Sequence, residues 1–217
     1  MNDDATLLKP ALQALAKMGL LAIRVPETAG GCGFKHADDH FYKKKLAQYS
    51  AALAFLQTQH QTAGRHILNG DNDILKKTIL PFMKNGKYLV GMGLSPHLAQ
   101  WENPPVTAIE YQEGYLIEQA NIHFVTGLHF FKYLIIGFVV TEKISQEKRE
   151  ITAFIPFKNM MKSADSGLRF SAPHELVVAK STNTVSLTIK NWFIPKTKVV
   201  TNKPLMSFYK AIVGNLG

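Results

Sequence analysis

The chain has 217 residues, 46% of them hydrophobic, enough for one large domain or two small ones around a real core, which excludes a disordered chain. With Cys32 as its one cysteine, an intrachain disulfide framework and a clustered thiolate metal site are excluded, and a reducing, cytoplasmic setting fits best. The formal charge of +9 permits attraction to phosphate-bearing ligands or nucleic acid, but the basic residues are scattered (Lys43 to Lys45, Lys76, Lys77, Lys158, Lys196, Lys203) with no dense arm, so a solvated surface and no nucleic-acid partner are expected.

The start, Met1-Asn2-Asp3-Asp4, is acidic and carries no export-leader pattern. Leu8, Leu12 and Leu15 recur at helical steps, and Gly19 ends that helix. A longer pattern through Tyr42, Leu46, Tyr49, Leu53 and Leu56, with Asp38 and Asp39 in its first turn, predicts the clearest helix of the chain. Leu75, Ile79 and Phe82 predict a short helix ending at Asn85-Gly86.

From Tyr88 the period changes to two. Strands are predicted at Tyr88 to Leu94, Val106 to Tyr111, Tyr115 to Glu118, Ile122 to Thr126, Tyr133 to Thr141, Ile151 to Phe157 and Glu175 to Ala179, with a hairpin turn at Gln112-Glu113-Gly114. Val185, Leu187 and Ile189, interleaved with Thr184, Ser186 and Thr188, give the best strand alternation. Tyr133 to Val140, the most apolar run, falls far short of the roughly 20 residues a membrane helix needs and is read as a buried strand, so no membrane association is expected. A last helix is predicted after Pro204. Helices first and strands second make an α+β chain, divided into a helical domain over residues 1–87, a β domain over 88–203 and a helix start over 204–217.

The local sequences add a resemblance. Gly19-Leu20, Val25-Pro26-Glu27 and Gly30-Gly31-Cys32-Gly33 are similar to the Gly-Leu entry, Pro-Glu and Gly-Gly-x-Gly loop of the acyl-CoA dehydrogenase family. Ser50 to Gly64 resembles that family's helix of small and apolar residues, and Ile79-Leu80-Pro81 to Gly86 its Leu-Pro helix end. Met92-Gly93-Leu94-Ser95-Pro96 and Phe124-Val125-Thr126-Gly127 stand where the family has its two flavin-contacting motifs. The resemblance runs from about Ala5 to Val200 and implies an N-terminal α-helical domain followed by an antiparallel β-barrel-like domain.

It further implies FAD, with FMN as the lesser alternative, bound by Met92, Leu94, Ser95, Phe124 and Thr126, and an acyl-CoA or other small-molecule substrate. Ser95 and Thr126 would supply hydrogen bonds, Phe124 an aromatic face, and Met92 an apolar wall. The alternative for each hydroxyl is a strand residue facing water, and the two readings are evenly balanced. The family's acidic-proline pair is lost after Ser95, and the stretch His97 to Pro105 replaces its small loop.

The chain is expected to stop where the family's C-terminal helical bundle begins. The proton-abstracting glutamate would then lie elsewhere, and no catalytic residue is nominated here. Hydride transfer from acyl-CoA to flavin is the leading reading, with a non-catalytic CoA- or protein-binding relative and a flavin-dependent monooxygenase as alternatives. A homo-oligomer, or a partner covering the bundle-facing side, is expected. His36 and His40, one helical turn apart, lack a third ligand in view, so no metal site is expected.

Overall fold

The computed structural model describes residues 5–94, 106–142, 145–177 and 179–205. Four helices come first: α1 (Ala5–Lys17), α2 (His36–Tyr49), α3 (Ala51–Leu68) and α4 (Asp73–Ile79). Nine strands follow: β1 (Val90–Gly93), β2 (Thr107–Tyr111), β3 (Gly114–Val125), β4 (Tyr133–Thr141), β5 (Lys148–Pro156), β6 (Met160–Ser163), β7 (Ser166–Phe170), β8 (Val185–Pro195) and β9 (Val199–Pro204).

The expected long helix through Leu56 is two helices. Ser50 is extended, with φ −155° and ψ 106°, and its side chain accepts the Leu53 N–H. A serine that satisfies an orphan donor at a new helix start wins over continuous apolar periodicity. The predicted pair of strands at Tyr115 to Glu118 and Ile122 to Thr126 is the single strand β3. The strand expected at Glu175 to Ala179 is absent among its described residues: Glu175 to Val177 and Ala179 belong to no ladder, and Val177 is fully exposed. An apolar run without a partner strand has nothing to pair its backbone with. The helix expected after Pro204 lies outside the described residues; β9 runs up to Pro204 itself.

The strand order is β6-β7-β8-β3-β2-β4-β5-β9, with β1 added against β4. Pairing is antiparallel except for β1 with β4 and β2 with β4. Short β2 gives Thr107 and Ala108 to β4 and Ile109 to Tyr111 to β3, so it turns one leaf of the sheet into the next. The sheet is barrel-like in this wrapping but is not closed: no described ladder joins β6 to β9.

Alternation then sorts the side chains. Leu134, Ile136, Phe138 and Val140 of β4 pack with Ile151, Ala153 and Ile155 of β5, and with Ile117, Ile122, Leu187 and Ile189 of the facing leaf. On the opposite face Val90, Ile135 and Phe154 meet Ala63 and Ile67 of α3, Leu75 and Ile79 of α4, and Met83. β4 is therefore covered on both sides, which explains its continuous apolar sequence. Leu8, Leu12 and Leu15 carry α1 into the first of these clusters.

Two histidines of α3 tie the helical layer to the sheet. The fully buried His60 points Nε2 at Met83 O, at 3.1 Å, and Nδ1 at the Val90 N–H, at 3.1 Å. A neutral ring, protonated on Nε2, satisfies both partners. His66 Nε2 lies 2.7 Å from Thr152 Oγ1, which is 2.7 Å from Thr201 Oγ1, so α3, β5 and β9 share one polar chain.

Burial lowers the pKa of His60. Burial, and then the charge of Lys203, lower that of His66 to about 4. Below about pH 6.5 the unfolded chain therefore binds protons that the folded chain refuses. Stability is expected to fall as the pH drops through 6.5 and to go on falling to about 4. Urea midpoints between pH 7.5 and 4.5 measure this. His66→Gln should flatten the slope, and an unchanged slope would remove His66 as its source.

Candidate functional site

The end of β3 is built differently from the rest of the sheet. The register with β8 shifts between Ile122 and Val125, and Phe124 sits in the bulge with φ 58°. Gly127 (φ 101°) and His129 (φ 72°) follow, while Ala179 (φ 61°) and Asn183 (φ 50°) stand in the turn before β8. An aromatic residue in the left-handed region is costly, and such residues persist where surrounding contacts over-determine them. Here those contacts are visible. The Gly127 N–H donates to Thr182 O at 3.0 Å, and the Asn183 amide donates to Leu128 O at 3.2 Å.

Thr126 is buried at the centre of this junction. Its Oγ1 lies 2.9 Å from Thr184 Oγ1, which lies 3.2 Å from Thr182 Oγ1, and the Thr182 hydroxyl donates to Ala179 O at 2.7 Å. Each hydroxyl has a single proton to give. With Thr182 committed to Ala179, a chain in which all three bonds form runs from Thr126 to Thr184 to Thr182. Thr126 is then the donor to Thr184, and its remaining capacity is that of an acceptor.

Phe124 turns outward, 61% exposed, with its ring 5.6 Å from that of His174. His174 is held in turn by the Ser186 hydroxyl, 3.0 Å from Nε2. The structure thus places Phe124 and Thr126 together on one strand end. Met92 packs on the helical side of β1, against the cluster of Ala22, Val25, Val90 and Ile135. Leu94 is buried just past the end of β1, and Ser95 lies outside the described residues. The strands β1 and β3 pack together, and the loop after Thr126 reaches β1 directly, since a Cβ added to Gly91 would meet the Phe131 ring at 2.7 Å.

Sequence reasoning missed Thr184, Thr182 and His174. Thr184 was read only as one of the residues interleaved with the apolar positions of a strand, yet it is 3% exposed and is the partner of Thr126. A threonine one position before an apolar strand carries no local signal of a partner 58 residues away.

Among the described residues no group of three or more metal-ligating side chains converges, and His36 and His40 are exposed on α2. The Cys32 thiol donates to Gly19 O at 3.0 Å, and burial raises its pKa. No helix among the described residues is long and apolar enough to cross a membrane.

A helical layer on a mostly antiparallel, unclosed sheet is the α+β architecture of the acyl-CoA dehydrogenases. The family described as acyl-CoA dehydrogenase, N-terminal domain, matches residues 2–87, and over the rest of the described residues the likeness to solved acyl-CoA dehydrogenases is one of fold. A solved acyl-CoA dehydrogenase from Geobacillus kaustophilus superimposes with a TM-score of 0.75 at 14% identity, covering 94% of this chain and 53% of that one. Butyryl-CoA dehydrogenase from Megasphaera elsdenii gives 0.74 at 16% identity, with coverages of 94% and 53%. A methanesulfinate monooxygenase from Pseudomonas fluorescens gives 0.70 at 16%, with 88% and 46%. At these identities the likeness is one of fold, and the chain spans about half the length of the structures it matches. Comparison of the sequence with curated proteins finds no significant match.

The threonine chain is open to a stability test. Thr126→Val should cost about 1–2 kcal/mol, because it leaves a buried Thr184 oxygen without its donor. Thr126→Ser should retain most of the stability. Urea denaturation of both measures the difference, and a valine variant as stable as the parent would mean that the hydroxyl pair contributes nothing.

Proposed function

We propose that this chain is the helical and β portion of an acyl-CoA dehydrogenase-like flavoprotein, with a division near residue 87, and that FAD lies where β1 and β3 come together. Met92, Leu94 and Ser95 are assigned to one side of the ring and Phe124 and Thr126 to the other. The observation that carries this reading is the concentration of left-handed residues at the end of β3 and in the turn that braces it, at the motif where the family resemblance expects cofactor contacts. Strain maintained by a dedicated network is characteristic of binding sites.

The residues at that end fit a flat heterocycle. Phe124 offers an exposed aromatic face, and the Thr126 oxygen retains an acceptor lone pair suited to a ring N–H. Flavin, when bound, supplies the hydride acceptor. Proton abstraction from the acyl-CoA is assigned to a carboxylate outside this chain, either in a further segment or in a partner polypeptide. The substrate class (acyl-CoA), the place in fatty acid metabolism, assembly as a homo-oligomer or with a partner, and a cytoplasmic location belong to the same proposal.

A second reading has a specific observation in its favour. The Thr126 hydroxyl is already satisfied by Thr184, which suits a relative that keeps the scaffold and binds CoA or protein without redox chemistry. The monooxygenase among the fold neighbours supports a third, flavin-dependent oxygen chemistry.

Incubation of the purified chain with FAD, followed by gel filtration and absorbance spectroscopy, tests the proposal. Co-elution of flavin absorbance is expected, with weaker retention in Phe124→Ala. A colourless protein that nevertheless gives heat with acyl-CoA in calorimetry would establish the non-redox reading instead. Oxygen uptake with reduced flavin would establish the monooxygenase reading.

A further inference from the structure

A cleft of about 710 Å³ opens between α1 and the loop that leads into β4. None of the side chains assigned to flavin lines it. Its floor is apolar, with Leu12 and Phe131 each only 3% exposed and Leu89 also lining it. Its rim carries Lys9 and Lys17 from α1 and Lys132 from the loop, and no carboxylate lines it. Among the described residues none of these three lysines takes part in an ion pair.

The walls are set by main-chain bonds. The Lys132 N–H donates to Leu89 O at 2.9 Å, and the Phe131 N–H donates to Gly127 O at 2.9 Å. Gly127 and His129, both left-handed, turn the chain so that Phe131 points inward and Lys132 outward. On the other side Gly86 allows close approach to α1, since an added Cβ would lie 3.1 Å from that of Ala16. The cleft is thus formed before any ligand arrives, and its size is within the range of small-molecule sites.

Lys17, in the last turn of α1, complements the helix dipole. No such local role accounts for Lys9 or Lys132. Three ammonium groups around one mouth, with no carboxylate paired to them among the described residues, raise the local concentration of anions. A bare anion would leave the apolar floor uncovered, and an uncharged hydrocarbon would leave the lysines unused. We infer that this cleft binds an amphipathic anion, with its carboxylate or phosphate head among Lys9, Lys17 and Lys132 and its apolar body over Leu12, Leu89 and Phe131.

The test is calorimetry on the whole chain without flavin, using decyl phosphate, decanoate, decanol and inorganic phosphate as probes. At least one decyl anion should bind about tenfold or more tightly than decanol and inorganic phosphate, and should weaken with added salt. Comparison of the two anions identifies the head group. Lys17→Gln combined with Lys132→Gln should remove that tenfold preference and leave decanol unaffected. Gln13→Trp, at an exposed position that lines the cleft, should block both decyl compounds without entering the core.

Equal affinity for decanol and both anions would overturn the inference. So would inorganic phosphate binding as tightly as decyl phosphate, or affinities indifferent to these substitutions. FAD retention by the cleft variants is a separate readout, so loss of flavin binding and loss of anion binding are told apart.

Discussion

Burial of β4 on both faces is the constraint from which the rest of the architecture follows. A strand with a second leaf on one side and helices on the other cannot turn any backbone group to water, so each N–H and C=O must find a neighbouring strand. β5 pairs with it along its whole length, from Tyr133 opposite Pro156 to Thr141 opposite Lys148. On the other edge two short parallel strands share the work, β1 beside its first residues and β2 beside Val139 and Val140. The helical layer is then fixed to this leaf by polar contacts that only one docking satisfies. His60 reads the main chain of β1, and His66 reads the Thr152 hydroxyl of β5, which is bonded in turn to Thr201 of β9.

The parts legible in the sequence are those where one residue type answers to one local requirement. Tyr133 to Thr141 was placed with the right ends because a strand covered on both faces is apolar at every position. The Gln112-Glu113-Gly114 hairpin was found from its glycine, although the reversal is made by Gln112, at φ 50°, and Glu113, while Gly114 opens β3 where an added Cβ would lie 2.2 Å from Ile194 O. The break at Ser50 was hidden because apolar residues on either side keep helical spacing across it, while a capping serine looks like any other serine. β6 was missed for the opposite reason: Met160 to Ser163 is largely exposed, and its place is set by contacts distant from any local pattern, the pairing with β7 and the packing of Met160 on the core. Glu175 to Ala179 had the composition of a strand, and its described residues have no strand to pair with.

The candidate site divides in the same way. Phe124 and Thr126 were found as a motif, and they do share a strand end. What holds them there was invisible, because it depends on Thr184, Thr182 and Asn183, which come back beside β3 only after the four intervening strands β4 to β7. The outward turn of Phe124 was likewise unforeseen. In a regular strand Phe124 and Ile122 would share a face, and Ile122 is fully buried. The bulge between Ile122 and Val125 breaks that parity and sends the aromatic ring to the surface.

The direction of the threonine bonds bears on which chemistry this end of the sheet can support. A hydroxyl that must donate to a ligand has to surrender its existing acceptor, and here that acceptor is the buried Thr184, whose own proton goes on to Thr182. Once Thr126 donates elsewhere, Thr184 must either go without its donor or turn its own proton from Thr182 to Thr126, so donation costs one bond of the chain. Acceptance costs none. A ligand presenting an N–H at this point would therefore be favoured over one presenting only an acceptor. The distinction rests on the 2.7 Å bond from Thr182 to Ala179 O, which fixes the polarity of the chain at its far end and which the left-handed turn at Ala179 brings within reach.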